Sequence, residues 1–294
     1  MEKILRDKKA ILVFILPAII AYTAVVFFPM CQSFYFTFFE GTPNVNFEFV
    51  GLQNYAKLFG DVNFKESFLT TMQYFFVTGG GWIVFGLIVA LMLQYGLNHF
   101  SNAARTIIYL PVVIPGVAAA ALFSKVLEVT PTYGLLNSLL DVMGLDSLIR
   151  GWTGDSATAM WMVCLVDLWK GIGYYTIIFY AGLINVPPEV EEAARIDGAG
   201  KLTTIWKIVL PLLKPVTIMC VVLAIMNSLK VYDMPLVLTD GGPGRVTTVL
   251  SIYMYKIAFT KWQYGYGSTI AIVMLVLTIV LTQVVMRLDR KENV

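Results

Sequence analysis

A chain of 294 residues that is 58% hydrophobic and only 14% charged, with a mean hydropathy of +0.74, lacks the polar surface to clothe a water-soluble globule. Soluble domains carry about 25% charged residues, so the lipid bilayer is the expected solvent. The net charge of +2 comes without any long basic or acidic block. That excludes nucleic acid as a partner, because phosphate binding needs a clustered basic face. Cys31, Cys164 and Cys220 are odd in number and lie inside apolar runs. They read as packed thiols, not as a disulfide framework or a metal site.

A helix needs roughly 20 mostly apolar residues to cross about 30 Å of hydrocarbon. Six stretches qualify, in chain order 10–38, 68–93, 106–124, 158–183, 216–238 and 266–286. The first follows Lys3, Arg6, Lys8 and Lys9, as a signal peptide would, but its apolar length exceeds a signal core and no small-residue cleavage site follows. The expectation is an all-α membrane protein of six transmembrane helices in one domain, residues 1–294. Pro17 and Pro29 in the first span, Gly79, Gly80 and Gly81 in the second, and Pro111 and Pro115 in the third are candidate kinks.

Orientation follows from the loop lysines and arginines. An even number of spans puts both termini on one side, together with Lys3, Arg6, Lys8, Lys9, Arg105, Arg195, Lys201, Lys207, Lys214, Arg287, Arg290 and Lys291. The other side holds Lys57, Lys65, Lys125, Arg150, Arg245, Lys256 and Lys261. Twelve against seven predicts cytoplasmic N and C termini.

The loop 184–214 is the most ordered connector. Pro187 and Pro188 suit a helix entry, where missing amide donors cost little. Glu189, Glu191 and Glu192 favour the positive end of the helix dipole. Gly198 and Gly200 permit a left-handed stop, and Ile205, Trp206, Ile208, Val209 and Leu210 make a second, amphipathic helix before Pro211 and Pro215. Of these charges, Glu191 reads as a solvated surface group. A plain connector needs none of this order; a docking element for a soluble partner does.

Glu192-Ala193-Ala194, then Gly198, then Ile208 with Leu210-Pro211, matches the E-A-A-x3-G-x9-I-x-L-P loop at every defining position. In this the chain resembles the membrane subunits of binding-protein-dependent ABC importers. Phe49 through Tyr55 with Leu58-Phe59, Tyr133 through Asn137, and Tyr232-Asp233 with Thr239 through Pro243 are similar to their carbohydrate-uptake branch, the maltose and glycerol-phosphate permease type. The resemblance implies a type I importer permease fold in a bacterial or archaeal cytoplasmic membrane, surrounded by membrane lipid. It implies as partners a second homologous permease, two ATPase subunits carrying ATP and Mg, and an extracytoplasmic solute-binding protein. Glu192, Ala193, Ala194, Gly198, Ile208, Leu210 and Pro211 become the ATPase-coupling positions.

Two pairs of ionisable residues interrupt apolar spans, Asp167 with Lys170 and Lys230 with Asp233. Their i, i+3 spacing puts each pair on one helix face, where it can pair locally, and salt bridges between helices that fix the bundle are the alternative. Charges within a bilayer face a cavity or a partner. Trp169, Gly171, Tyr174 and Tyr175 on one helix and Met226, Asn227 and Tyr232 on the other lie around them, offering the aromatic faces and hydrogen-bonding groups a sugar requires. The resemblance implies the same segments for substrate contact, with the charges at Asp167, Lys170 and Lys230 departing from the maltose type. A sugar or oligosaccharide is the expected cargo, and a polyol phosphate or other polar solute the alternative.

A membrane enzyme on a lipid-linked substrate would need clustered acids or a base beside a nucleophile; the single histidine, His99, lies in a short loop. A passive facilitator would need no docking loop. The chain has no G-x4-G-K-[ST] phosphate cradle, so it is read as a transport subunit, with no cofactor of its own and ATP hydrolysis on another polypeptide.

Overall fold

The long apolar runs fold as helices, since only structures that satisfy their own backbone donors and acceptors are stable in hydrocarbon. The computed structural model describes residues 8–96 and 101–292; Lys3, Arg6 and His99 lie outside the described residues. In chain order the described elements are α1 (Leu12–Phe36), a two-stranded antiparallel ribbon (β1, Phe39–Glu40; β2, Glu48–Phe49), α2 (Gln53–Gly60), α3 (Val62–Tyr95), α4 (Ser101–Val113), α5 (Gly116–Val126) and α6 (Leu135–Val142). Then follow α7 (Ala159–Ile184), α8 (Pro188–Ile196), α9 (Lys201–Leu212), α10 (Lys214–Leu229), α11 (Asp233–Thr239), α12 (Leu250–Tyr255) and α13 (Tyr264–Glu292).

Four of these, α1, α3, α7 and α13, are individually long and apolar enough to cross a membrane, and the total reaches six if each of two bent pairs counts as one span. The bent pairs correct the expected boundaries. The third span is not one rod: α4 and α5 meet at 99°, with Pro115 extended at the break. Proline disfavours helix in the residue before it and lacks the donor to continue the ladder. The fifth span also differs from 216–238. α9 and α10 meet at 64°, α10 stops at Leu229, and a separate short helix begins at Asp233.

Pro17 and Pro111 lie within α-helix, whereas two other helical prolines follow π turns. Thr23–Phe27 and Ile205–Val209 are π-helical, and Pro29 and Pro211 each follow two residues beyond. A widened turn tolerates the ring and the missing donor without breaking the helix.

The chain forms two compact units. One comprises the N-terminal residues through Val62 with Met254–Leu275. Here the Asn54 amide donates to the carbonyls of Thr37 and Phe39 at 2.9 and 2.7 Å, and Lys57 pairs with Glu40 at 3.5 Å. Cys31 is exposed in this unit, contrary to the packed thiol expected; Cys164 and Cys220, in the other, are buried.

The second unit holds Asn63–Tyr253 and Val276–Val294. Its core has two clusters. One gathers Tyr74, Met160, Val163, Cys164, Val166 and Met234; the other gathers Trp82, Tyr175, Phe179, Leu183, Val209, Leu213 and Cys220. Asn137 ties together the loops before and after α6, donating to Glu128 O at 3.2 Å and Arg150 O at 3.0 Å and accepting from Trp152 Nε1 at 2.8 Å.

Candidate functional site: a charged cavity and an ordered loop

The breaks in the helices create a cavity within the second unit. It has a volume of about 540 Å³ and is walled by α3 through Trp82, by the α4–α5 bend, by α7, and by the interruption between α10 and α11. Of the nine residues expected along a substrate path, Asp167, Lys170, Gly171, Tyr174, Asn227, Lys230 and Asp233 line it. Trp169 does not. It is 38% exposed and packs edge-to-face on Phe123, with ring centroids 5.1 Å apart. Met226 is likewise outside the lining and 37% exposed.

The local pairing that the spacing allows does not form. Among the described residues neither Asp167 with Lys170 nor Lys230 with Asp233 closes into an ion pair. Lys230 caps the end of α10 and Asp233 opens α11, with non-helical Val231 and Tyr232 between them. The i, i+3 rule holds only on a continuous helix. Asp167 instead accepts a hydrogen bond from the hydroxyl of Tyr74, which is fully buried. Asp233 lies beside the amino end of α5, its carboxylate 3.7 Å from where a Cβ on Gly116 would stand.

Tyr175 and Tyr232, which the sequence places beside these charges, also line the cavity, and so does Trp82, which the sequence did not mark. Trp82 Nε1 donates to Asp167 O at 3.0 Å, and its ring stacks on Tyr175 at 5.4 Å with 14° between planes. The indole lies so close to α7 that a Cβ on Gly171 would stand 2.1 Å from Trp82 Nε1. Glycine is therefore required there by close approach. Asn227 Nδ2 faces the Tyr175 hydroxyl at 3.4 Å, and Tyr174 packs edge-to-face on Tyr175.

Tyr74 and Trp82 meet the same residue because of a π turn at Phe75–Gly79. Residues eight apart on an uninterrupted α-helix diverge by about 80°; the extra residue of a π turn returns them to one face. Their rings lie 6.4 Å apart.

The connector 184–214 forms a helix, a bend and a second helix, as the sequence predicts. Pro187 caps α8 and Pro188 opens it. At its end Gly198 has φ +80°, Ala199 N donates to Ala194 O at 2.9 Å and Gly198 N to Arg195 O at 3.1 Å. This is a complete Schellman closure. Ala194 is buried, while Glu192 and Ala193 are exposed. Ile208 and Leu210 are half-buried and Pro211 is exposed. Glu191 is not a free surface charge: its Oε1 accepts from the Tyr95 hydroxyl at 2.7 Å. Lys201 donates to Tyr95 O and lies over the Tyr95 ring. These contacts fasten the connector to the end of α3.

The connector and the cavity share a core. Val209 and Leu213 are buried in the cluster that also contains Trp82 and Tyr175, both cavity-lining. Close-packed side chains transmit displacement because they have little free volume.

Residues 82–294 match the family described as binding-protein-dependent transport system inner membrane component. Over 276 residues the chain is 36% identical to the probable ABC transporter permease protein YurN of Bacillus subtilis, covering 93% of this chain and 94% of that protein. It is 31% identical over 291 residues to the trehalose/maltose transport system permease protein MalF of Thermococcus litoralis, covering 97% and 95%. The crystal structure of a bacterial ABC transporter involved in the import of the acidic polysaccharide alginate has a chain with the same fold, at a TM-score of 0.86 and 23% identity over 99% of this chain and 98% of that one. A family match over most of the chain, with helices able to span a membrane, gives the assignment: the chain belongs to the inner-membrane permease components of binding-protein-dependent ABC transporters.

Proposed function

We propose that this chain is one of two homologous permease subunits of an ATP-driven importer that moves a sugar or oligosaccharide by alternating access. An extracytoplasmic solute-binding protein delivers the ligand, and two separate ATPase subunits bind ATP and Mg. Both termini and the 184–214 connector face the cytoplasm. Glu192, Ala193, Ala194 and Gly198 dock on the ATPase, with Ile208, Leu210 and Pro211 holding the second helix. The observation that carries this reading is the shared core: a docking motif packed through Val209 and Leu213 against the residues that wall a polar, aromatic cavity.

The cavity chemistry favours a polyhydroxylated ligand. Tyr174, Tyr175 and Trp82 offer ring faces, and Asn227, Lys170, Lys230 and Asp233 offer donors and acceptors. The similarity to a trehalose/maltose permease supports a sugar over a polyol phosphate. One test is the double variant Glu192→Lys, Gly198→Trp in the complete importer. Uptake and binding-protein-stimulated ATPase activity are expected to vanish while the chain still inserts; normal transport would remove the coupling role. A second is Tyr174→Ala with Asn227→Ala. Uptake is expected to fall while assembly with the ATPase persists, and unchanged uptake would remove these residues from the path.

A further inference from the structure

Beside the connector lie two adjoining cavities of opposite character. The first, about 410 Å³, is polar and is lined by Gln94, Glu191, Arg195, Lys201 and Thr204. The second, about 650 Å³, is an almost wholly apolar groove between α3 and α9, lined by Leu87, Leu91 and Met92 on one side and Leu202, Trp206 and Leu210 on the other. Tyr95, Lys201 and Ile205 belong to both, so the two open into one another. Each volume falls in the range of roughly 300–1,000 Å³ usual for ligand sites.

The charge balance of the polar part favours an anion. Glu191 is occupied by the Tyr95 hydroxyl, and two cationic groups face this single carboxylate. Among the described residues the Arg195 side chain has no hydrogen bond or ion pair, leaving its fork of N–H donors open toward the pocket. Trp206, 69% exposed, stands at the groove as an amphipathic ring does at a membrane–water boundary. A helix from another chain would fill the groove but leave the polar pocket unmatched. An amphiphile with an anionic head and an apolar tail matches both.

We propose that these cavities form a binding site for an anionic phospholipid of the cytoplasmic leaflet, its phosphate held by Arg195 and Lys201 and an acyl chain lying along α3 and α9. The inference rests on the orientation and coupling role proposed above for the 184–214 connector. Basic pockets between helices on the cytoplasmic side recognise such headgroups through the same chemistry. The bound lipid would sit between the connector and the end of α3, where the Tyr95–Glu191 contact fastens the two.

The test uses the assembled importer in nanodiscs containing equal parts phosphatidylglycerol and phosphatidylcholine, with the lipids retained after detergent extraction identified by native mass spectrometry. The wild type is expected to retain phosphatidylglycerol in preference. Arg195→Gln, at an exposed position, is expected to reduce that preference about fivefold. Leu87→Trp, which fills the groove, is expected to release the lipid without altering headgroup charge. Equal retention of both lipids, retention insensitive to Arg195→Gln, or a cysteine at Leu87 that cross-links to the second permease chain would each overturn the site. Because retention is read without ATP, failure of the coupling role would appear separately, as normal transport by the Glu192→Lys, Gly198→Trp variant.

Discussion

The connector at 184–214 and the cavity between α7, α10 and α11 are built by different means. The connector is local: its prolines, glutamates, alanines and Gly198 each act on neighbours within one or two helical turns. The cavity is assembled from four separate segments, around a proline break at 115 and a helix interruption at 230–232. Local order tolerates single changes that cost one cap or one hydrogen bond. An assembled cavity depends on close approaches, so one added methyl group disturbs several elements at once.

Four substitutions sharpen that contrast, from the largest expected effect to the smallest. Gly171→Val forces a side chain into the Trp82 indole. Overpacking of this kind costs about 1–3 kcal/mol, and the indole cannot yield without leaving Tyr175. Uptake is expected to collapse together with the thermal unfolding midpoint of the detergent-solubilised importer; a lowered midpoint with full uptake would show that the cavity wall is not needed in this form. Tyr74→Phe leaves the Asp167 carboxylate without its donor. A hydrogen bond to a charged group contributes about 1.5–3 kcal/mol, and Asp167 is half-buried at the cavity wall, so a loss of stability and of transport rate is expected from the same two assays.

Gly198→Ala meets no neighbour within 4 Å, so its cost is backbone strain alone. A left-handed residue with a Cβ costs roughly 1–2 kcal/mol. Uptake per ATP hydrolysed is expected to fall with little change in assembly, and an unchanged ratio would mean that the bend does not orient the helix. Tyr95→Phe removes the hydroxyl donated to Glu191. A single hydrogen bond contributes about 0.5–1.5 kcal/mol, so only a small fall in coupling ratio is expected, and Glu191→Gln combined with Tyr95→Phe should add little further.

How much of this was legible in the sequence follows the same division. The connector could be read almost completely, because capping, helix propensity and a left-handed glycine act within a few residues. Glu191 was the exception: its partner Tyr95 is 96 residues away, and nothing local marks the pair. For the cavity, the charges and aromatics on α7 were legible as a cluster, but their pairing was not. Lys230 and Asp233 read as one helix face until the break at Val231 and Tyr232 separates them. Trp169 reads as a path residue by its neighbours, yet the turn of α7 sends it to Phe123. Tyr74 and Trp82 were hidden by a π turn that shifts helical phase, although a tryptophan directly after Gly79, Gly80 and Gly81 was the available signal.

The central claim is that the connector moves the cavity walls through their common core. Spin labels at Val112 and Val231, two lining positions, would report the width of the cavity in the assembled importer after replacement of Cys31, Cys164 and Cys220. ATP with liganded binding protein is expected to shift the distance distribution by pulsed electron spin resonance, and the Glu192→Lys, Gly198→Trp pair to abolish that shift with the labels otherwise unchanged. An ATP-dependent shift that persists in the double variant would contradict the account.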